Sequence, residues 1–380
     1  MSNKIFSVAD ARKYARRRMP RMTFDYIDGS AGEENACRLN IQCLEDLRLM
    51  PRVMVNVEQR AHKKQLFDET WQLPFGIAPM GMCDLTWPGA DGMLARAACQ
   101  YGIPLVLSTM ASSSIEATAE RAAENAWFQL YVGTSLDVAF DLVDRAAAAG
   151  YRNLILTVDV PEIGSRPREK RNGFQSPLRI GPKQFIDFAL HPEWSLRTLY
   201  AGVPKLANVD MPGAKEFKRD EGRGKVDWAF LDRLRAHWKG RLIVKGVLDS
   251  DDARRVRDAG ADAVYVSNHG GRQLDSAPAA IQVLPAIRAA VGPDFPLLFD
   301  SGVRNGEAVV KALALGADFV FIGRPLLYAM GADGYNGLQE MIELIRSQMD
   351  ISLAQLGCND INDIDERIIY AGNAGAREPD

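Results

Sequence analysis

The stretch Val266–Asp275, V-S-N-H-G-G-R-Q-L-D, directly follows the apolar run Ala263 to Val266. An apolar run that ends at once in polar and glycine residues is typical of a parallel strand buried on both faces. In α/β barrels the active-site groups lie at the C-terminal ends of such strands. The stretch therefore predicts a strand that opens onto a functional site containing His269 and Arg272.

Further apolar runs of this kind recur along the chain, most of them followed by an Ala-rich segment of helical period. They cover residues 74–81, 103–109, 127–132, 154–159, 241–246, 296–301 and 319–324. Most neighbouring runs begin roughly 22 to 33 residues apart, which suits one strand and one helix each. Together with Ala263 to Val266 they make eight strands, so the sequence predicts an α/β fold of the (β/α)8 TIM-barrel type.

Two segments depart from this regular spacing. Residues 1–72 have a helical pattern and are expected to pack outside the barrel or to cap one end of it. Residues 160–240 exceed what one helix and its loops need, which predicts a long insertion after the fourth strand, serving as a lid or a contact surface. We expect residues 1–380 to form a single domain, with the barrel over residues 73–380.

The composition excludes several classes of function. The net charge of -3 argues against nucleic-acid binding, which needs a basic face. Five cysteines without a C-x-x-C pair argue against a disulfide framework or a zinc site, and we expect no metal. The N-terminus lacks the apolar core of a signal peptide, and no run is long enough for a membrane span, so a cytoplasmic protein is expected.

Polar or glycine residues follow every predicted strand, where burying them unpaired would be costly. His269 is the one histidine at such a position and is a candidate general base, with Asp159 as a possible carboxylate to orient it. Lys245 fits either a Schiff-base lysine of an aldolase or a fixed charge beside a cofactor. The last two strands end in D-S-G-V-R-N-G and I-G-R-P, where glycine amides with Arg304 and Arg324 predict a phosphate site.

The motifs, taken together, resemble those of the FMN-dependent L-2-hydroxy-acid dehydrogenases and oxidases, which include glycolate oxidase, bacterial L-lactate dehydrogenase and L-mandelate dehydrogenase. The resemblance runs in family order from Tyr26 to Cys358. Its motifs are D-Y-I-D-G-S-A-G, F-Q-L-Y-V, L-T-V-D-V-P, V-K-G-V-L, S-N-H-G-G-R-Q-L-D, D-S-G-V-R-N-G and I-G-R-P.

The resemblance implies a role for each matching residue. His269 would take a proton from the substrate, Asp159 would hold the resulting imidazolium, and Tyr131 would bond the substrate oxygen. Arg272 would bind the substrate carboxylate, helped by Tyr26 and Arg166. Lys245 would stand beside the flavin, which makes its aldolase role the lesser alternative. The other residues expected to contact FMN are Ala78, Pro79, Met80, Ser108, Gln129, Thr157, Ser267, Asp300, Gly302, Arg304, Gly323 and Arg324.

Departures from the family pattern bear on substrate and electron acceptor. Gly81 stands where related oxidases often carry alanine, which favours a dehydrogenase passing electrons to a quinone or other acceptor over an oxidase using O2. Met110 replaces an aromatic ring, and with Ile163 it suggests room for a side chain larger than that of glycolate, as in lactate- or mandelate-like acids. In R-P-R-E, Pro167 stiffens the loop that carries Arg166.

The insertion resembles that of the membrane-associated members near G-P-K-Q-F-I-D-F-A-L-H-P-E-W-S. Its apolar residues, together with Lys183 and Arg197, suggest a peripheral contact with the inner face of the cell membrane, and a lid with an apolar underside is the alternative. The apolar residues in question are Phe185, Phe188, Leu190 and Trp194. The resemblance also implies a homotetramer.

Overall fold

A computed structural model describes residues 4–174, 180–202, 204–209, 223–370 and 372. Within these residues eight parallel strands close into a barrel, and the last strand pairs with the first. The (β/α)8 prediction is confirmed. The barrel strands are β3 (Phe75–Met80), β4 (Leu105–Ser108), β5 (Ala126–Leu130), β6 (Asn153–Thr157), β7 (Arg241–Val247), β8 (Ala263–Val266), β9 (Leu297–Phe299) and β10 (Phe319–Ile322).

Helices follow the strands and cover the outside of the barrel. Their inward faces are rich in small and aliphatic residues, such as Ala95, Ala97 and Ala98 in the helix after β3, which let helix and strand approach closely. The helices are α4 (Ala90–Tyr101), α5 (Ile115–Ala122), α6 (Leu136–Ala148), α10 (Trp228–His237), α11 (Ser250–Asp258), α12 (Ala280–Val291), α13 (Gly306–Ala314) and α14 (Arg324–Gln355).

The N-terminal segment is only partly helical. It forms α1 (Val8–Arg18), α2 (Arg21–Asp28) and α3 (Asn35–Asp46), and then a hairpin of β1 (Lys64–Leu66) and β2 (Glu69–Trp71). The prediction of helix through residue 72 is therefore wrong for residues 47–72. Leu66 and Trp71 of the hairpin pack on the barrel interior, where the Trp71 and Trp127 rings lie 6.2 Å apart. Burial of these side chains, and not helical periodicity, decides the conformation of this stretch.

The insertion lies between β6 and β7. Its described helices are α7 (Pro167–Arg171), α8 (Pro182–Ala189) and α9 (Pro192–Ala201), each beginning with proline at its first position. The predicted range of residues 160–240 extends too far, because α10 buries Phe230, Leu231 and Leu234 as the helix of the β6 unit. Residues 175–179, 203 and 210–222 of the predicted insertion lie outside the described residues.

Candidate active site

A cavity of about 1260 Å³, its open mouth included, lies at the C-terminal end of the barrel strands. The fold brings most of the predicted site residues into its wall, although they are spread over the whole chain. These are Tyr26, Ala78, Pro79, Met80, Gly81, Ser108, Met110, Tyr131, Thr157, Ile163, Arg166, Lys245, His269, Arg272, Asp300, Gly302, Arg304, Gly323 and Arg324.

Three predicted residues do not line the cavity and contact its wall from behind. Asp159 bonds His269, Gln129 lies between Ser108 and Thr157, and Ser267 lies between Lys245 and Asp300. Their side chains therefore orient the lining groups.

His269 is held between a carboxylate and a phenol. Its Nδ1 lies 3.0 Å and 3.2 Å from the two Asp159 carboxylate oxygens, and its Nε2 lies 3.0 Å from the Tyr131 hydroxyl oxygen. A carboxylate only accepts, so Nδ1 carries the proton and Nε2 presents a lone pair to the cavity. Burial lowers the pKa of His269, with Asp159 opposing that shift. The resting imidazole is thus neutral and able to accept a proton.

His269 differs from the other three histidines in its position, and not in having a carboxylate partner. His62, His191 and His237 also lie beside carboxylates, those of Asp350, Asp187 and Asp144. His269, unlike these, stands at the barrel mouth in a left-handed conformation with φ of 59°. A non-glycine residue held there is strained, and such strain concentrates at functional sites.

Two guanidinium groups share one glutamate beside His269. Arg272 Nη2 donates to Glu169 Oε1 over 3.0 Å, and Arg166 Nη1 lies 3.5 Å from the same oxygen. Arg272 Nη1 also donates to the carbonyl oxygens of Tyr26 and Gly29. Burial, and then the neighbouring Arg166 charge, lower the pKa of Arg272 to about 10. Two cations held close together in a buried wall form a receptor for a carboxylate.

Tyr26 and Gly81 complete this side of the cavity. The Tyr26 hydroxyl donates to the Gly81 carbonyl oxygen over 3.2 Å, and its ring stacks on Phe174 at 4.5 Å. A Cβ added at Gly81 would lie 2.9 Å from the Met110 Cβ. The glycine therefore leaves space next to Met110.

Polar side chains line the cavity wall that is predicted to contact the flavin. Ser108 Oγ donates to Gln129 Oε1, and Gln129 Nε2 donates to Thr157 Oγ1, each over 2.9 Å. These hydrogen bonds connect the ends of the neighbouring strands β4, β5 and β6. Both the amide oxygen and the amide nitrogen of Gln129 therefore have a partner.

Lys245 stands at the end of β7 with its ammonium group buried. Its Nζ donates to Ser267 Oγ over 2.8 Å and lies 3.3 Å from Asp300 Oδ2. These partners hold the amine as a fixed positive charge on the cavity wall.

The cavity wall carries a second pair of cations, Arg304 and Arg324. Arg304 and Arg324 are both partly buried, and burial together with the Arg324 charge lowers the pKa of Arg304. Arg324 is the first residue of α14, and the preceding Gly323 is the N-cap. Gly302 has φ of 90°, and a Cβ there would lie 2.5 Å from the Asn40 carbonyl oxygen. Two partly buried guanidiniums, one of them at a helix N-terminus, fit a phosphate group.

Two charged residues of the cavity region had not been predicted from the sequence. Glu169, on α7, bridges Arg166 and Arg272. Arg223 lines the cavity and places its guanidinium carbon 4.4 Å from the centre of the Tyr131 ring. The i,i+3 spacing of Arg166 and Glu169 on a proline-started helix is the signal that could have identified the first. Within the described residues there is no cluster of three or more His, Cys, Asp or Glu side chains suited to a metal ion.

The chain is similar to known proteins over nearly its whole length. Residues 15–371 match the family model described as FMN-dependent dehydrogenase. It is 39% identical to the (S)-mandelate dehydrogenase of Pseudomonas putida over 96% of this chain and 93% of that one. It is 37% identical to the L-lactate dehydrogenase of Pseudomonas syringae pv. syringae, covering 96% and 98% of the two chains.

A solved structure gives the same result. The crystal structure of the monotopic membrane protein (S)-mandelate dehydrogenase superposes with a TM-score of 0.92 at 38% identity, covering 96% of this chain and 99% of that one. The phosphate-suited arginine pair and the polar wall beside Lys245 fit the cofactor that the family model specifies. The chain therefore belongs to the FMN-dependent dehydrogenase family, with FMN as its cofactor.

Proposed function

We propose that this protein oxidises an L-2-hydroxy acid, lactate- or mandelate-like, to the 2-oxo acid and passes the electrons to a quinone or another acceptor. The observation that carries the proposal is the neutral His269, whose Nε2 lone pair faces the Tyr131 hydroxyl on the same cavity wall as the Arg166 and Arg272 guanidiniums. A base and a carboxylate receptor side by side suit a substrate whose hydroxyl is next to its carboxylate. The relatives named mandelate and lactate dehydrogenase support the same substrate class.

Each residue has a distinct role in the proposed reaction. Arg272, helped by Arg166 and Tyr26, binds the substrate carboxylate. The Tyr131 hydroxyl bonds the substrate hydroxyl and orients it. His269 Nε2 then takes a proton from the substrate, and the Asp159 carboxylate stabilises the imidazolium that forms.

The cofactor site is supplied by residues from the ends of all eight barrel strands. Arg304, Arg324, Gly302 and Gly323 would hold the FMN phosphate, with Asp300 on the ribityl side. Ser108 and Thr157, joined by Gln129, would face the flavin ring on one side and Ala78, Pro79 and Met80 on the other, with Ser267 fixing Lys245. Bound FMN supplies a two-electron acceptor. The fixed charge of Lys245 favours the accumulation of negative charge beside it, and this role replaces the aldolase alternative.

We expect electrons to leave to an acceptor other than O2, because Gly81 stands where related oxidases often carry alanine. The test is the visible spectrum of the purified yellow protein without oxygen, before and after L-lactate and, separately, L-mandelate. Bleaching by either acid, and slow return of colour in air, is expected. His269→Gln should stay yellow with both. Hydrogen peroxide formed in step with substrate would instead indicate an oxidase, and normal turnover in His269→Gln would refute the mechanism.

The insertion supports a peripheral membrane contact. No described helix combines the length and apolarity needed to cross a membrane. However, α8, α9 and their flanks expose Phe185, Ile186, Leu190, Leu196 and Leu199. Phe188 and Trp194 were expected at this contact and instead pack against each other, with Trp194 Nε1 donating to the Leu85 carbonyl oxygen. They anchor the two helices so that their apolar faces point outward, which argues against a lid with an apolar underside.

Sedimentation with anionic phospholipid vesicles tests this contact. Leu190→Glu combined with Leu199→Glu should release the protein from vesicles while leaving flavin reduction unchanged, because both residues lie outside the cavity wall. Ile351→Glu is the control, since Ile351 is an exposed apolar residue on α14. Equal release by the control would refute a specific contact. The homotetramer remains a prediction, to be checked by light scattering.

A further inference from the structure

The cavity wall carries one more cationic side chain, among its described residues, than the proposed reaction uses. Its described cationic residues are Arg166, Arg223, Lys245, Arg272, Arg304 and Arg324. The FMN phosphate accounts for Arg304 and Arg324, the flavin ring for Lys245, and one substrate carboxylate for Arg166 and Arg272. Arg223 has no role in that scheme, although it lines the same cavity.

Arg223 is held in a defined place. Its backbone N–H donates to the Pro161 carbonyl oxygen over 2.9 Å, which joins it to the loop after β6. Its guanidinium carbon lies 4.4 Å from the centre of the Tyr131 ring, within the range of a cation–π contact. The residue is 6% exposed. A guanidinium fixed in this place can pair with an anionic group in the space beside it.

The position of Arg223 differs from that of the carboxylate receptor. Arg272 belongs to the loop after β8, whereas Arg223 contacts residues that follow β5 and β6, and the strands run in the order β5-β6-β7-β8 around the barrel. A substrate held by its carboxylate at Arg272 and by its hydroxyl at His269 and Tyr131 thus has a further cation near its side chain. The cavity wall there also includes Val160 and Ile163.

From this arrangement we infer that Arg223 binds a second anionic group, at the far end of the substrate's side chain. The inference rests on the proposed function and narrows its substrate class to 2-hydroxy acids with a distal carboxylate or similar anion. A guanidinium pairs with a carboxylate through charge-assisted hydrogen bonding and so favours it over an apolar end of the same size. Apolar walls around it would pack along the methylene groups between the two anionic ends.

Matched substrate pairs test the inference. L-Malate and L-2-hydroxybutyrate have four carbons each and differ in a terminal carboxylate, and L-2-hydroxyglutarate and L-2-hydroxyvalerate form the same pair with one more carbon. Wild-type protein should show a higher kcat/KM for the dianion in at least one pair. Arg223→Met should lower that value by about 10- to 150-fold, the effect of one hydrogen bond to a charged group. The monoanion should change by less than about threefold, since it does not use that bond.

Binding provides a readout independent of turnover. Succinate and butyrate have no 2-hydroxy group, and their dissociation constants follow from the change in flavin absorbance. Arg223→Met should weaken the binding of succinate and leave the binding of butyrate unchanged. Arg223→Lys should keep part of the preference for succinate. Arg197→Met is the control, because Arg197 lies outside the cavity wall over the Trp87 ring.

The outcomes separate this inference from the proposed function. Oxidation of monoanionic acids without oxidation of either dianion or binding of succinate overturns the role of Arg223 and leaves the proposed function standing. Failure of every acid to reduce the flavin overturns both. An equal fall in kcat for all acids in Arg223→Met, with succinate binding unchanged, would show that Arg223 only positions Tyr131, and would also overturn the inference.

Discussion

Replacing Asp159 by asparagine tests the proposed base most directly, because it removes one negative charge while keeping the shape of the side chain. Asp159 accepts from His269 Nδ1 at 3.0 Å, and both side chains are largely buried. Asp159 does not line the cavity, so FMN binding should be unchanged. The substitution therefore isolates the support of the imidazolium from the binding of cofactor.

The expected loss of reaction rate in Asp159→Asn follows from that geometry. Removing one partner of a buried ion pair costs about 3–5 kcal/mol. His269 and Asp159 become an ion pair only when His269 has taken the substrate proton. The lost stabilisation therefore lowers the reaction rate. At about 1.4 kcal/mol for each power of ten, flavin reduction should slow by two to four powers of ten. The pKa of His269 should fall further, because Asp159 is the charge that raises it.

The assay is anaerobic stopped-flow reduction of the bound flavin by L-lactate or L-mandelate as a function of pH. Asp144→Asn is the matched control, since Asp144 pairs with His237 on the outer surface at 2.5 Å. Exposed pairs contribute only about 0–1 kcal/mol, so the control should reduce at close to the wild-type rate. A rate in Asp159→Asn within threefold of wild type would refute the reasoning, because His269 would then not depend on its carboxylate.

Three further predictions concern the cofactor, the substrate space and pH. Arg304→Ala should weaken FMN binding about 10- to 150-fold in fluorescence titrations of the apoprotein, because one charge-assisted bond to phosphate is lost beside Arg324; an unchanged Kd would place the phosphate elsewhere. Gly81→Ala places a Cβ 2.9 Å from the Met110 Cβ, so kcat/KM should fall more for L-mandelate than for L-lactate, and Met110→Ala should restore it; equal losses would argue against crowding. Since burial lowers the pKa of His269 and only the neutral imidazole accepts a proton, kcat/KM should fall with decreasing pH through a pKa below about 6.5, and a limb above that value would identify another group.

The barrel and most of the site could be predicted because the signals are local. Each barrel strand is buried on both faces, so it appears in the sequence as an unbroken apolar run. The residues that follow each run must lie at the mouth of the barrel. The sequence therefore predicts that His269 and Lys245, which follow different strands, line the same cavity, as they do. Closure of the barrel then follows from the number of strands.

The remaining features of the fold and the site depend on tertiary contacts, which leave no periodic pattern in the sequence. The hairpin of β1 and β2 is too short for a pattern, and its conformation follows from burying Trp71 under the barrel. Glu169 reaches the site because Arg168 ties α7 to Asp25 and Asp28 of the N-terminal segment. The position of Arg223 depends on a backbone hydrogen bond to Pro161.

One segment thus connects substrate selection with the proposed membrane contact. The chain that leaves β6 supplies Ile163 and Arg166 to the cavity, continues through α8 and α9 with their exposed apolar faces, and returns with Arg223 over Tyr131. The barrel itself supplies the base, the FMN phosphate site and the flavin wall. Substitutions in the insertion can therefore alter which acid is bound, and how the protein meets its acceptor, without moving His269 or Lys245. For that reason we expect substrate preference within this family to vary with the insertion while the chemistry stays with the strand ends.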